Sequence, residues 1–235
     1  MTTPEEAHRA TSLQHAQDQA LSLFAAIEPL IVPGITEKAL SDSIHRLGAS
    51  QHNVRTHWHK RLVRSGPNTL RPFADNPPDR TLLADDILVI DLGPVFEEWE
   101  ADFGRTYVLG RDPAKLALRD ALDGIWTSVK TEFDRRPDVT GAELYAIASQ
   151  AVQAAGARAG RPWVFGADIA GHLVGCFPHE RIPNDRVSLY ITPGNGERMR
   201  AKGKGGWERH WILEIHVHDA ERGFGGFCER LLTVG

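Results

Sequence analysis

The chain has little cysteine. Cys176 and Cys228 stand far apart and are the two in the sequence, which excludes a disulfide framework and fits a reducing cytoplasm. No apolar run approaches the roughly 20 residues that a membrane helix needs. The N-terminal stretch Met1-Thr2-Thr3-Pro4-Glu5-Glu6 lacks the basic and apolar blocks of a secretory signal. A cytoplasmic protein with no membrane partner is therefore expected. There is also no basic block or aromatic-basic stripe. Acidic and basic residues are interspersed and the net charge is −4, so nucleic acid is not an expected partner.

The 235 residues suffice for one large domain. Their pattern predicts an α+β chain, read as one domain over 1–235 with residues 1–14 as a candidate flexible lead-in. Leu13, Ala16, Leu21, Phe24, Ala25 and Ile27 recur at helical spacing over residues 5–30. Pro33-Gly34 ends that helix, and Thr36 caps a second one that runs to Leu47-Gly48. Asp112-Pro113 opens a third helix, with Leu116, Leu118, Leu122, Ile125, Trp126 and Val129 at its apolar positions. Thr140 caps a fourth, which reaches Gly156. Each helix is expected to cover a sheet.

The most informative stretch is Asp86-Ile87-Leu88-Val89-Ile90-Asp91-Leu92-Gly93-Pro94. A continuous apolar run ends on a carboxylate and is then broken by Gly-Pro. It reads as a buried strand. A second strand, Phe103 to Leu109, opens just after Asp102. Folded back as an antiparallel pair, the two strands can set Asp91 beside Asp102. Two carboxylates in an apolar setting repel unless a cation or a shared proton lies between them; alternatively both are strand-end residues.

Four further stretches carry chemistry. Residues 51–61 hold His52, His57 and His59 with Arg55, Lys60 and Arg61, and read either as a solvated basic edge or as a site wall with His57 or His59 facing substrate. Residues 166–183 hold His172 and His179 among glycines, and glycines permit close backbone approach to a ligand. The strand His210 to His218 carries Glu214, which shares a face with His210, Ile212, His216 and His218. Gly223, Gly225 and Gly226 are expected to turn the chain into a last strand, Phe227 to Val234, which carries Glu229. A glutamate inside each of two apolar strands is costly unless paired or metal-bound. Residues 191–206, rich in glycine, read as a flexible loop.

Asp91, Asp102, His172, Glu214 and Glu229 are together four hard carboxylates and one imidazole, a set suited to two divalent cations such as Mn²⁺, Co²⁺, Fe²⁺ or Zn²⁺. Here the order and the local motifs resemble the pita-bread metallopeptidases: methionine aminopeptidase, Xaa-Pro aminopeptidase, prolidase and creatinase. The matching segments are Asp91-Leu92-Gly93, Ala101-Asp102-Phe103-Gly104-Arg105-Thr106, and Gly171-His172 with His179-Glu180 downstream. The resemblance covers residues 15–235 and corresponds to the catalytic domain.

The resemblance implies a pseudo-twofold arrangement, with helices outside a curved antiparallel sheet and the site in its concave face. It implies that Asp91 chelates one metal, that Asp102 and Glu229 bridge both, and that His172 and Glu214 complete the other. A water shared by the two ions would be the nucleophile, Glu214 would relay its proton, and His179 would contact substrate and steady the developing oxyanion. The chain also departs from the family. Phe73 stands seven residues after Gly66, where a substrate-facing histidine is usual, and His57 or His59 could replace it from another direction. Asp168 stands where proline-directed members have a histidine four before the ligand histidine, and Phe227 where they have an arginine two before the last glutamate.

These departures weigh against a prolidase. The expected function is a dinuclear-metal hydrolase of the aminopeptidase type, cleaving an amide bond in a short peptide or amino-acid derivative. The alternatives are an enzyme of the same fold recruited to a non-peptide substrate, and a non-catalytic binding or scaffold protein. A homodimer is expected only because it is the commonest assembly of soluble chains.

Overall fold

A computed structural model describes residues 3–181 and 189–234. Four long helices cover a strongly antiparallel sheet. Helix α1 (Pro4–Ile27) starts at an N-cap, Thr3, whose hydroxyl accepts from Glu6 N. The expected lead-in is thus already helical from residue 4, and Glu6, Arg9 and Leu13 within it are buried. Helix α2 (Glu37–Gln51) is capped by Thr36. Helix α3 (Pro113–Arg135) is capped by Asp112, and α4 (Gly141–Arg158) by a reciprocal box between Thr140 and Glu143.

The strands are β1 (Leu62–Ser65), β2 (Ile87–Leu92), β3 (Val95–Phe96), β4 (Trp99–Glu100), β5 (Phe103–Val108), β6 (Val164–Phe165), β7 (Leu173–Val174), β8 (His210–Asp219) and β9 (Phe224–Leu231). The main sheet runs β1-β2-β5-β9-β8-β6, and β7 pairs with β8. The order shows an internal symmetry. Two helices, an edge strand and a hairpin (α1, α2, β1, β2, β5) are followed by a second set of the same kind (α3, α4, β6, β8, β9). The halves meet where β5 lies against β9.

Each half has its own apolar core under its helices. Leu88, Ile90 and Leu92 of β2 join Leu23, Phe24, Ile27, Leu40 and Ile44. Leu213, Ile215 and Val217 of β8 join Leu118, Leu122, Trp126, Leu144 and Val152. Alternation along a strand then sends Val89 and Asp91, and likewise Glu214, His216 and His218, to the opposite face.

Two expectations are corrected. Gly225 and Gly226 do not form the last turn but lie inside β9, which begins at Phe224. They are glycines because the strand passes close under its neighbours: a Cβ on Gly226 would lie 2.2 Å from Leu118 Cδ2. The segment over residues 191–206 is irregular but packed. Met199 and Ile191 are fully buried, and Trp211 Nε1 donates to Met199 O at 2.8 Å. Residues 182 and 183, at the end of the histidine-glycine stretch, lie outside the described residues.

Candidate metal centre

Asp91 of β2 pairs with Gly104 of β5. Gly104 pairs with Glu229 of β9, and Glu229 pairs with Glu214 of β8. Directly opposed residues of an antiparallel sheet share a face, so three carboxylates stand in one transverse row across the seam. Asp102 lies two residues before Gly104, at the entry to β5. His172 enters beside it from the segment before β7. Gly171, in a left-handed conformation with φ +133°, passes so close to β8 that a Cβ there would lie 2.0 Å from Ile212 O.

The distances draw these residues into one cluster. His172 Nε2 lies 3.0 Å from Asp102 Oδ2, 3.7 Å from Glu214 Oε1 and 4.0 Å from Glu229 Oε1. Its other nitrogen is held by Leu173 O at 2.8 Å. All five residues are at most 7 % exposed. Asp91 Oδ1 and Glu229 Oε2 are buried with no hydrogen-bond partner among the described residues. Buried carboxylate oxygens are costly when unpartnered.

The electrostatics express the same crowding. Burial raises Asp91, the charges of Asp102 and Glu214 add to it and His59 opposes, so that its carboxyl is pushed up to about 7. Burial and then Asp102, Asp91 and Glu214 push Glu229 well above the usual range. Burial would also raise Asp102, but His59 and His172 hold it well below an ordinary aspartate. Burial opposes charge on His172, yet its bond to Asp102, with Glu214 nearby, pushes it up to about 9. Four carboxylates against two imidazoles leave an excess of negative charge that protons or cations must balance. His59, Asp91 and Asp102 can together surround an ion, and so can Asp102, His172 and Glu229. Hard oxygen donors with imidazole suit Mn²⁺, Fe²⁺, Co²⁺ or Zn²⁺, so the residues present fit divalent metal.

A family comparison gives this cluster a context. The model of metallopeptidase family M24 matches residues 11–203. The chain belongs to this family. The M24 match ends before Glu214 and Glu229, which the sheet register nonetheless brings to the centre. The solved structures agree on the fold. A prolidase from Thermococcus sibiricus is 17 % identical with a TM-score of 0.74, over 97 % of this chain and 57 % of its own. The dipeptidase PepE from Mycobacterium ulcerans is 24 % identical with a TM-score of 0.72, over 98 % and 55 %. An X-Pro aminopeptidase from Thermotoga maritima is 16 % identical with a TM-score of 0.73, over 100 % and 62 %. The M24 chain described here thus spans little more than half the length of these structures and shares their pita-bread fold. No curated protein sequence matches it.

The remaining site expectations meet different outcomes. His59 lies among the carboxylates, 3.1 Å from Asp102 Oδ1. Phe73 lines the adjoining cavity of about 880 Å³ and is half exposed. His57 is not among the residues lining that cavity. It bridges to Pro94, its ring lies near His45, and its Nε2 is buried with no hydrogen-bond partner among the described residues. Burial, with the charge of Arg61 nearby, pushes it down to about 4. His57 therefore packs behind the wall rather than in it.

His179 also lies outside the lining. Its Nδ1 is 3.0 Å from Glu100 Oε1, and its ring packs 5.7 Å from that of Trp58. Trp58 itself, unremarked in the sequence, is a hub. It meets the rings of His59 at 4.5 Å and His172 at 5.0 Å, and donates to Ala101 O at 3.0 Å. His216 was legible only as a neighbour of Glu214 on one strand face; its Nε2 lies 2.8 Å from Glu214 Oε2.

No described helix is long and apolar enough to cross a membrane.

Proposed function

We propose that residues 1–235 form a single catalytic domain of a metal-dependent hydrolase that cleaves an amide bond in a short peptide or small amino-acid derivative. The observation that carries this reading is the convergence of Asp91, Asp102, His172, Glu214 and Glu229, with Asp91 Oδ1 and Glu229 Oε2 left without a hydrogen-bond partner among the described residues. These five residues would hold two divalent cations. The bound ions would supply Lewis acidity at the scissile carbonyl and lower the pKa of a water within reach.

The protein's own groups divide the rest of the work. Glu214 presents Oε1 toward His172 and Oε2 to His216 Nε2, so it can take a proton at Oε1 while His216 fixes its orientation. The cavity beside it is walled by the aromatic rings of Phe73, Tyr145, Phe165, Tyr190 and Phe227. Such a wall suits the apolar part of a substrate and excludes water from the reacting bond. His216 packs between Phe165, edge-on at 5.9 Å, and Phe227, tilted at 4.6 Å, which fixes its ring for that task.

Phe73 and Phe227, apolar where a polar contact to a peptide backbone would be expected, support a second reading: an amide substrate that is not a peptide. One experiment addresses both. Purified protein is analysed for metal content and assayed with Xaa-peptide, Xaa-Pro and non-peptide amide panels in added Mn²⁺ or Co²⁺, beside Glu214→Gln. About two metals with cleavage lost in the variant supports the proposed base. Unchanged activity in a variant that retains metal overturns it, and cleavage confined to non-peptide amides selects the second reading.

A further inference from the structure

We propose that His59 is itself a metal ligand, donating Nε2 to the ion held by Asp91 and Asp102, so that each of the two metal positions carries one imidazole. The proposal rests on the metal-dependent reading above.

The geometry of His59 repeats that of His172. His59 Nε2 lies 3.1 Å from Asp102 Oδ1 and 3.6 Å from Asp91 Oδ1. His172 Nε2 lies 3.0 Å from the other oxygen, Asp102 Oδ2. Asp102 thus divides its two oxygens between two imidazoles. The outer nitrogens are arranged alike as well. His59 Nδ1 meets the carbonyl of the next residue, Lys60, at 2.7 Å, as His172 Nδ1 meets that of Leu173 at 2.8 Å. A carbonyl accepts only a proton, so in the neutral ring Nδ1 carries the hydrogen and Nε2 offers its lone pair inward. This is how proteins fix the tautomer of a metal-binding histidine.

The ring is also held in place. Trp58 N donates to Gly93 O at 2.9 Å and Val95 N to Thr56 O at 3.1 Å, which pins the segment 56–58 to the end of β2. The Trp58 ring packs against the imidazole at 4.5 Å, and Phe73 covers it at 5.9 Å. The side chain of His59 is 9 % exposed. One potential donor beside it, Asp91 Oδ1, has no hydrogen-bond partner among the described residues. His59, Asp91 and Asp102 offer three ligand atoms within 4.8 Å of one another. An imidazole makes this position softer than three carboxylates would, and favours Zn²⁺, Co²⁺ or Fe²⁺ over Mn²⁺ there.

Metal-free protein is titrated with Co²⁺ and with Zn²⁺, following visible absorption for Co²⁺ and binding stoichiometry by calorimetry, for wild type, His59→Ala, His172→Ala and His59→Cys. The folding of each variant is checked by circular dichroism. The expected result is two ions in wild type and a loss of affinity for one of them in His59→Ala by at least about 10- to 100-fold, the loss seen when a residue that merely orients a ligand is removed. His59→Cys should show a thiolate-to-Co²⁺ charge-transfer band in the near ultraviolet, which appears only if the side chain at 59 touches the ion. Two ions bound as tightly in His59→Ala as in wild type, with no such band in His59→Cys, would overturn the proposal and leave the metal-dependent reading intact. Tighter binding in His59→Ala would also overturn it, showing that the imidazolium takes the place of an ion. Failure of wild type itself to bind any divalent metal would instead overturn the reading on which the proposal rests.

Discussion

The His59 ring occupies the space that a side chain on residue 93 would need. A Cβ on Gly93 would lie 2.2 Å from His59 Cδ2 and 2.5 Å from its Nε2. Gly93→Ala must therefore push the 58–59 segment away from Asp91 and Asp102. Overpacking of this kind costs about 1–3 kcal/mol. Thermal unfolding of the metal-free variant should show a matching loss, smaller in the Gly93→Ala, His59→Ala double variant, where the ring is gone. Equal losses in the two backgrounds would mean that the overpacking comes instead from Trp58, whose Nε1 would lie 2.6 Å from the same Cβ.

Metal binding should release protons. With Asp91 pushed up to about 7 and Glu229 pushed well above the usual carboxylate range by burial and its acidic neighbours, the metal-free cluster holds protons near neutral pH that a divalent cation must displace. Apparent affinity should therefore rise with pH through about 7. Calorimetry at pH 6.5 in buffers of different ionisation enthalpy should report roughly one proton or more released per ion pair bound. A binding enthalpy independent of the buffer would count against the protonated cluster.

Acid should destabilise the chain through its buried neutral histidines. Burial, with Arg9 nearby, pushes His210 down from 6.5 to about 4. Burial and the adjacent His216 do the same to His218. Between those values the unfolded chain binds a proton that the folded chain refuses. This part of the stability is fully present above pH 6.5 and is lost as pH falls toward 4. The raised carboxylates act in the opposite direction, so the contribution of His210 is best isolated as a difference. His210→Gln should lose less Tm than wild type between pH 7.5 and pH 4.5, and equal losses would show that His210 titrates normally in the fold.

Glu37 ties α2 to the cavity rim. Its Oε1 accepts from Ser65 N at 2.5 Å and Ser65 Oγ at 2.8 Å, and its Oε2 from Asn68 Nδ2 at 2.9 Å. Glu37→Ala leaves Ser65 N and Oγ buried without this acceptor and Asn68 Nδ2 with Pro78 O alone, a loss of roughly 2–4 kcal/mol. In a chain of this size that corresponds to a fall in Tm of about 4–16 °C. Urea unfolding should report the same loss. A change below about 0.5 kcal/mol would show that water replaces the carboxylate.

Much of this architecture was legible in the residues themselves. Thr36, Asp112 and Thr140 announced three helix starts because a cap is a local device: one side chain satisfies its own turn. Asp91, Asp102, Glu214 and Glu229 were conspicuous because charge inside an apolar strand demands an explanation. What escaped depended on non-local packing. His57 and His59 are two apart, and strand parity would place both on one face. The segment is instead a single bridge followed by a bend, so one ring faces the cluster and the other turns behind it. The glycines at 225 and 226 look like a turn until Leu118 of α3 is known to lie 2.2 Å from where a side chain on Gly226 would begin, and Val217 O 2.8 Å from one on Gly225. His216 gains its meaning only from Glu214 Oε2, and Trp58 from the three imidazoles around it.

The row of carboxylates has a consequence for folding fidelity. β5 and β9 are joined in register at Gly104 and Glu229, and beside that pair the Thr106 hydroxyl both donates to Phe227 O and accepts from Phe227 N, each at 2.7 Å. If β9 slipped by one residue, Glu229 would point among the leucines under α3 and Cys228 would face the cavity. The same carboxylates that make the sheet expensive to assemble thus serve as alignment marks. A one-residue slip would drive an acid into an apolar core, and a chain that has joined its halves in this register has, by the same event, assembled its centre.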